Sequence, residues 1–190
     1  GLDGMKLKPA VTSTVDTTNG SAITFDNGAV TTIDVWEDPQ CPVCKLFEDA
    51  NGEYIESLVR EKKATVRYHV LSFLGDESVR AANASFCAAD EGQYLDFHHA
   101  LYAVQSPLEN SGFWSNDKLV SIGAKIGITS KKFANCVTKG SKIDLVKANY
   151  DSMQKFGVQG TPTVFINGKL WERKSPDFNL AEFKAAVEGA

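Results

Sequence analysis

Two cysteines three positions apart, Cys41 and Cys44, with Pro42 and Val43 between them, are the residues of this chain best suited to chemistry. A pair so spaced can be half of a zinc site, a small structural staple or a redox couple. Structural zinc wants four ligands, usually drawn from two paired sets. The sequence offers no second Cys-x-x-Cys, and its adjacent His98 and His99 lack the i,i+4 spacing of a helical ligand pair. The redox reading fits better, and the residues around the pair say how it would work.

The stretch 31–36 (TTIDVW) is β-branched and reads as a strand. Asp38-Pro39-Gln40 follows as a loop. Beyond it, Leu46, Phe47, Ala50, Tyr54, Ile55, Leu58 and Val59 recur at helical spacing, which predicts a helix from Pro42 to about Lys62. Cys41 therefore stands at a helix N-terminus. Unpaired backbone N–H groups and the helix dipole stabilise a thiolate there, and the thiolate is the nucleophile. Cys44 lies one turn on, within reach of a disulfide. Pro42 has no N–H to lose in the first turn and presets φ for the helix. Residues 65–73 (TVRYHVLSF) read as the next strand, so the cysteines sit at the first turn of a βαβ unit.

The rest of the chain must hold that turn in place. From about Glu77 to Phe156 the pattern is helical. A stretch over 77–104 breaks at Gly92. A second carries Asp117 as cap and a third Thr129 as cap. A fourth has Ile143, Val146, Tyr150 and Met153 on one stripe. Strands return at 162–166 and 169–173 around Asn167-Gly168, a strong hairpin signal, and LAEFKAAVEG closes as a helix. Residues 1–20 are rich in Thr, Gly and small polar side chains and read as a loose arm, with at most one edge strand. Short AITF reads as a strand. Cys87 and Cys136 fall on two separate expected helices. A structural disulfide pinning them is preferred over two buried free thiols, and neither is expected to be catalytic.

Composition excludes other classes. A 43% apolar share and 23% charged residues suit an ordinary globular protein with a sizeable core. A formal net charge of −4 argues against nucleic acid as partner, because neutralising phosphates needs a basic excess. No apolar run approaches the ~18 residues of a membrane helix. The chain begins at Gly1, which suggests a removed signal peptide or membrane anchor upstream. Four cysteines are compatible with an oxidising compartment.

These elements resemble the DsbA family, and the likeness runs over residues 22–188. CPVCKLFE is similar to that family's Cys-Pro-x-Cys followed by Phe-Glu. RAANASFCAADEGQYLDFHHALY resembles the start of its helical insertion, and FGVQGTPTVFINGK its proline-bearing segment. IDVWEDPQ before the pair suggests an actinobacterial branch. The resemblance implies an α/β thioredoxin fold with an inserted all-helical domain. Residues 1–20 would form a flexible arm, 21–75 and 156–190 the thioredoxin-like domain, and 76–155 the insertion.

It also implies roles. Cys41 is the attacked sulfur and Cys44 the buried, resolving one. The bond before Pro162 is cis and lies beside Cys41, with Thr161. Pro42, Val43, Val158, Gln159 and Gly160 shape the substrate groove, and Pro39, Val43, Leu46 and Phe47 offer apolar surface to unfolded chains. Family members often carry a carboxylate in the strand beneath the buried cysteine. That place falls on Val35 here, a departure, which leaves Glu37 and Glu48 as candidates for redox tuning or proton relay. Asp34 points to the other face from Glu37. No chemistry is assigned to His69, His98 or His99. The implied activity is extracytoplasmic insertion of disulfides into secreted proteins by a monomer without bound cofactor. A quinone-linked membrane oxidase, of the DsbB or vitamin K epoxide reductase type, would reoxidise it. A reductase or isomerase on the same fold, or a non-catalytic peptide-binding or chaperone module, are the alternatives.

Overall fold

The computed structural model describes residues 1–190, the side chain of Asn19 excepted. Six strands form one sheet, in the order β1 (Thr14–Asp16), β2 (Ala22–Phe25), β4 (Thr65–Val70), β3 (Thr32–Glu37), β5 (Thr163–Ile166) and β6 (Lys169–Trp171). β3 and β4 run parallel and every other neighbouring pair antiparallel. Parallel pairing needs a crossover, which α1 (Pro42–Arg60) supplies. β3 is therefore a central strand, and its C-terminal end delivers the chain to the cysteine pair.

The period-2 alternation of β3 divides its side chains between two cores. Ile33 and Val35 join Phe47 and Ile55 of α1 and Phe183 and Val187 of α7 (Leu180–Glu188) in the main core. Trp36, on the opposite face, packs with Leu71 and Val158, and stacks on His69 with ring centroids 3.8 Å apart. Between β4 and β5 the chain forms α2 (Asp76–Ala89), α3 (Tyr94–Ala103), α4 (Asn116–Ile126), α5 (Lys131–Lys139) and α6 (Ile143–Ser152). These helices have a core of their own, centred on Phe97, Leu101, Ile122 and Phe133. The architecture is a thioredoxin fold with a helical insertion. Among the described residues no helix is long and apolar enough to cross a membrane.

Several local expectations need correction. Ser115, not Asp117, caps α4, accepting from Lys118 N, and Ser130, not Thr129, caps α5, accepting from Phe133 N. In both cases the capping serine stands three residues before the N–H it accepts from, as the geometry of the first turn requires. α6 buries Val146, Asn149 and Ser152, while Ile143 and Tyr150 of the expected stripe are exposed. The reason is that Asn149 donates to Ser21 O at 3.2 Å, and this polar contact turns the helix away from its most apolar stripe. The strands expected to end at 73 and 173 stop at Val70 and Trp171.

Residues 1–20 lie along the body. Leu2, Met5 and Leu7 pack against the helical core, Val11 N donates to Gly92 O at 2.9 Å, and β1 pairs with β2. The apolar residues spaced through this polar segment give it a surface to adhere to.

Candidate active site

Cys41 is the N-cap of α1, with Pro42 at the first helical position. Its Sγ accepts from Cys44 N at 3.3 Å. The sequence folds this way because Pro42 tolerates the first turn and a side-chain acceptor at the cap satisfies an orphan N–H. Cys41 is 6% exposed and Cys44 fully buried, and the two are unbonded.

Position alone separates the two sulfurs. The Cys44 thiol, hydrogen-bonded to Cys41, is the main influence that lowers the Cys41 pKa from 9.0 to about 6. Burial opposes it, and the Thr161 side chain and the N–H groups of Cys44 and Val43 reinforce it. Cys44 moves the other way. Burial pushes it well above the ordinary thiol range, and the proton it shares with Cys41 holds it there. One turn of helix thus presents a reactive thiolate beside a thiol.

Thr161 lies opposite. Its peptide bond to Pro162 is cis, and its carbonyl oxygen is 3.7 Å from Cys41 Sγ. Pro42, Val43 and Gln159 are exposed around this junction, with Gly160, Thr161 and Pro162 half-buried. Val158 departs from its expected place in the groove: it is 4% exposed and packs with Trp36 and Leu71. Phe47 and Pro39 are buried too, because Phe47 lies on the face of α1 turned to the main core. Val43 and Leu46, 41% and 58% exposed, remain as apolar surface.

The helical insertion grips the pair from behind. Tyr102 packs against both cysteines, and its hydroxyl donates to Asp38 O at 3.2 Å. Gln105 Nε2 donates to Pro39 O at 2.8 Å and to Cys41 O at 3.0 Å. Asp38, fully buried, accepts from Ser78 Oγ at 2.5 Å, Gln40 N at 3.0 Å and Leu74 N at 3.1 Å. Burial raises its carboxyl to about 6 despite those donors. Neither Asp38 nor Tyr102 is singled out by spacing. Their signal is proximity in sequence to the pair for one, and the inward i,i+4 series Tyr94, His98, Tyr102 for the other.

Beneath the pair lies a charged cluster. Glu37 is two residues beyond Val35 and so shares its face of β3, which brings a carboxylate back to the side that Val35 lacks. Asp34, on the other face, bonds Arg67 Nη1 at 3.2 Å and His69 Nε2 at 2.8 Å. Glu37 is 3% exposed; burial, then the charge of Glu48, raises its carboxyl well above the usual range. Burial also pushes Glu48 up, but His98, with Nε2 2.8 Å from Glu48 Oε1, more than offsets this and holds Glu48 low. His98 Nε2 is 3.5 Å from Glu37 Oε1, and its Nδ1 is 3.0 Å from the Tyr94 hydroxyl. His98, to which the sequence assigns no chemistry, is thus central to the cluster. His99 is exposed.

Cys87 and Cys136 are joined by a disulfide with Cα atoms 5.8 Å apart. It ties α2 to α5 within the helical insertion, and Asn83 Nδ2 lies 3.9 Å from Cys87 Sγ.

A family model described as thioredoxin matches residues 19–188. The chain is 28% identical over 165 residues to the serine/threonine-protein kinase PknE of Mycobacterium tuberculosis (strain ATCC 25618 / H37Rv), covering 79% of this chain and 29% of the kinase. It therefore spans less than a third of that relative's length. It is 28% identical over 178 residues to disulfide bond formation protein D of Bacillus subtilis (strain 168), covering 90% of this chain and 75% of that protein. Reduced DsbA from Mycobacterium tuberculosis superposes with a TM-score of 0.73 at 25% identity, over 88% of this chain and 91% of that one. The chain belongs to the thioredoxin family, and its fold is that of the DsbA-like thiol–disulfide oxidoreductases.

Proposed function

We propose that this chain works as an oxidant, inserting disulfides into secreted proteins on the outer side of the cytoplasmic membrane. The observation that carries this reading is the Cys41 thiolate, favoured down to about pH 6 beside a Cys44 thiol held protonated. Whatever stabilises the reduced couple makes its disulfide a stronger oxidant.

The cycle starts with Cys41 and Cys44 bonded. A substrate thiolate attacks Cys41 Sγ, the Cys41–Cys44 bond breaks, and Cys44 leaves with the electron pair and takes up a proton. A second substrate thiolate attacks the substrate sulfur of the mixed disulfide. Cys41 leaves as a thiolate, which its surroundings stabilise. The substrate has lost two electrons and two protons; the enzyme holds both electrons, one proton stays on Cys44, and the other goes to solvent.

Gly160, Thr161 and Pro162, with Pro42, Val43 and Gln159, form the edge where an extended, unfolded chain docks; Leu46 adds apolar surface. Glu37 and Glu48 tune the buried sulfur. Reoxidation requires an acceptor of two electrons, for which a quinone-linked membrane oxidase of the DsbB or vitamin K epoxide reductase type is the expected partner, acting on a monomer.

The test is oxidative refolding of a reduced, unfolded protein whose activity returns only with its disulfides. Stoichiometric oxidised chain is expected to restore activity, and the Cys41→Ser variant to restore none. If the reduced chain instead cleaves substrate disulfides while the oxidised chain leaves dithiols untouched, the direction is wrong and the chain is a reductase. If Cys41→Ser still exchanges thiols, Cys41 is not the reacting sulfur.

A further inference from the structure

The Glu37, Glu48 and His98 cluster has a second chemical capacity. Its three donor groups come from β3, α1 and α3, and their ligand atoms all lie within 4.8 Å of one another. Around a tetrahedral zinc ion with bonds near 2.1 Å, ligand atoms sit roughly 3.4 Å apart. The distances from His98 Nε2, 2.8 Å to Glu48 Oε1 and 3.5 Å to Glu37 Oε1, bracket that spacing.

Three further observations point to a ligand. Among the described residues no N–H or hydroxyl group reaches Glu37 Oε2, although Glu37 is 3% exposed. Its carboxyl is left to share a proton with Glu48, a place that a cation can take. Glu37 and His98 also line a cavity of about 10 Å³, the space of one water-sized ligand. Tyr94 holds the other ring nitrogen of His98 at 3.0 Å, the outer support that orients a ligating histidine. An entry path exists as well: Glu48, Gly52, His98, His99 and Tyr102 line a cleft of about 120 Å³ above the cluster. Gly52 makes room in it, since a Cβ there would lie 2.4 Å from Glu48 Oε2.

We propose that Glu37, Glu48 and His98 bind a single divalent cation, zinc by the character of the donor set, with a water as fourth ligand. One imidazole and two carboxylates suit zinc, and an open fourth position is typical of non-structural sites. One dication would neutralise the two buried carboxylates once the proton they share is displaced. The ion would take the place of the proton the acids otherwise share and lessen the negative charge beneath Cys44.

The test uses the oxidised chain, because there Cys41 and Cys44 are bonded to each other and cannot ligate. Zinc chloride is titrated into metal-free protein in competition with a chromophoric indicator. One equivalent is expected to bind. Glu48→Gln and His98→Gln should each weaken it at least tenfold, and Asp117→Asn, at an exposed carboxylate of α4 outside the cleft, should leave it unchanged. Thermal unfolding gives a readout independent of the indicator: zinc should raise the Tm of the oxidised wild type and of Asp117→Asn, but not of His98→Gln. Absence of stoichiometric binding to the oxidised wild type, or binding lost with Asp117→Asn but kept in His98→Gln, overturns the proposal and leaves the cluster as a proton-sharing network. The outcome is independent of whether the chain oxidises or reduces its substrates.

Discussion

Cys41 and Cys44 are the same residue one helical turn apart, yet they occupy opposite environments. Cys41 faces the cap of α1, where N–H groups and a neighbouring thiol stabilise negative charge, and its pKa falls to about 6. Cys44 faces inward, against Tyr102 and above two acids, and burial keeps it a thiol. The difference teaches that the active pair is defined less by its residues than by which of them takes the cap of the helix and which faces the interior. A helix N-terminus placed at the tip of a central strand gives that asymmetry, and the charge of Glu37 adds to it at Cys44.

The largest way to break the contrast is to remove one sulfur. Cys41→Ser is expected to abolish thiol exchange, because nothing accessible replaces the nucleophile; retained exchange would contradict the assignment. Cys44→Ser should do something different: Cys41 still reacts, but the mixed disulfide cannot resolve internally and accumulates, which mass spectrometry detects as a substrate adduct.

Next in size is a change that should leave the contrast untouched. The Cys87–Cys136 bond closes a separation of 49 residues in the helical insertion. Replacing both by Ala should cost roughly 4 kcal/mol in the chain-entropy picture, read from urea unfolding of the oxidised protein. The exchange rate at Cys41 should stay within a few-fold of wild type under conditions where the variant is folded. A parallel loss of exchange would mean the insertion transmits more to the site than the contacts of Tyr102 and Gln105.

A smaller perturbation acts from beneath. Gly52→Ala would normally stabilise a helix by about 1 kcal/mol. Here the new Cβ meets Glu48 Oε2 at 2.4 Å, and overpacking typically costs ~1–3 kcal/mol. Glu48 is held by His98 and cannot yield freely, so a net loss of about 1 kcal/mol is expected from the denaturation midpoint. A gain in stability would show that Glu48 is not fixed.

The smallest effect sharpens the contrast through pH. The folded pKa of Cys41 is depressed, so its thiolate stabilises the reduced protein fully above the unfolded thiol value near 9. That contribution shrinks as pH falls and is gone below about 6. At pH 7 it is on the order of 1 kcal/mol. The oxidised form has no such group. The stability of the reduced form relative to the oxidised form should therefore decline between pH 8 and pH 5.5, and ultraviolet titration of the thiolate should show its midpoint near 6.

How much of this the sequence discloses depends on the range of the signal. The cysteine spacing, the Asn167-Gly168 hairpin and the helical periodicity of α1 are local patterns, and they give the βαβ start and the hairpin finish directly. The insertion's helices are legible by the same periodicity, but their caps are not. Ser115 lies two residues before Asp117 and Ser130 one residue after Thr129, and only the first-turn geometry chooses between neighbouring candidates. α6 shows a different limit: its buried face follows Asn149, whose partner at Ser21 is 128 residues away. His98 shows the same limit in the site. Beside His99 it looks like an ordinary helix residue, and only the packing of α3 over α1 and β3 brings it to Glu48 and Glu37. The inward series Tyr94, His98, Tyr102 is the one sequence trace of that role. Val35 suggests that the family's acid is missing, whereas Glu37 places a buried carboxylate on the same strand face two residues later.

The central claim is that the environment of Cys41 makes this couple an oxidant, and the reduction potential tests it most directly. The Cys41/Cys44 pair is equilibrated with glutathione buffers of known ratio and the fraction reduced is measured. DsbA stands near about −120 mV and thioredoxin near about −270 mV. The account predicts a value on the DsbA side of the midpoint between them. It also predicts a slope of about 30 mV per pH unit above pH 6, steepening toward about 60 below it as Cys41 gains its proton. A value near that of thioredoxin, with no break near pH 6, would contradict it.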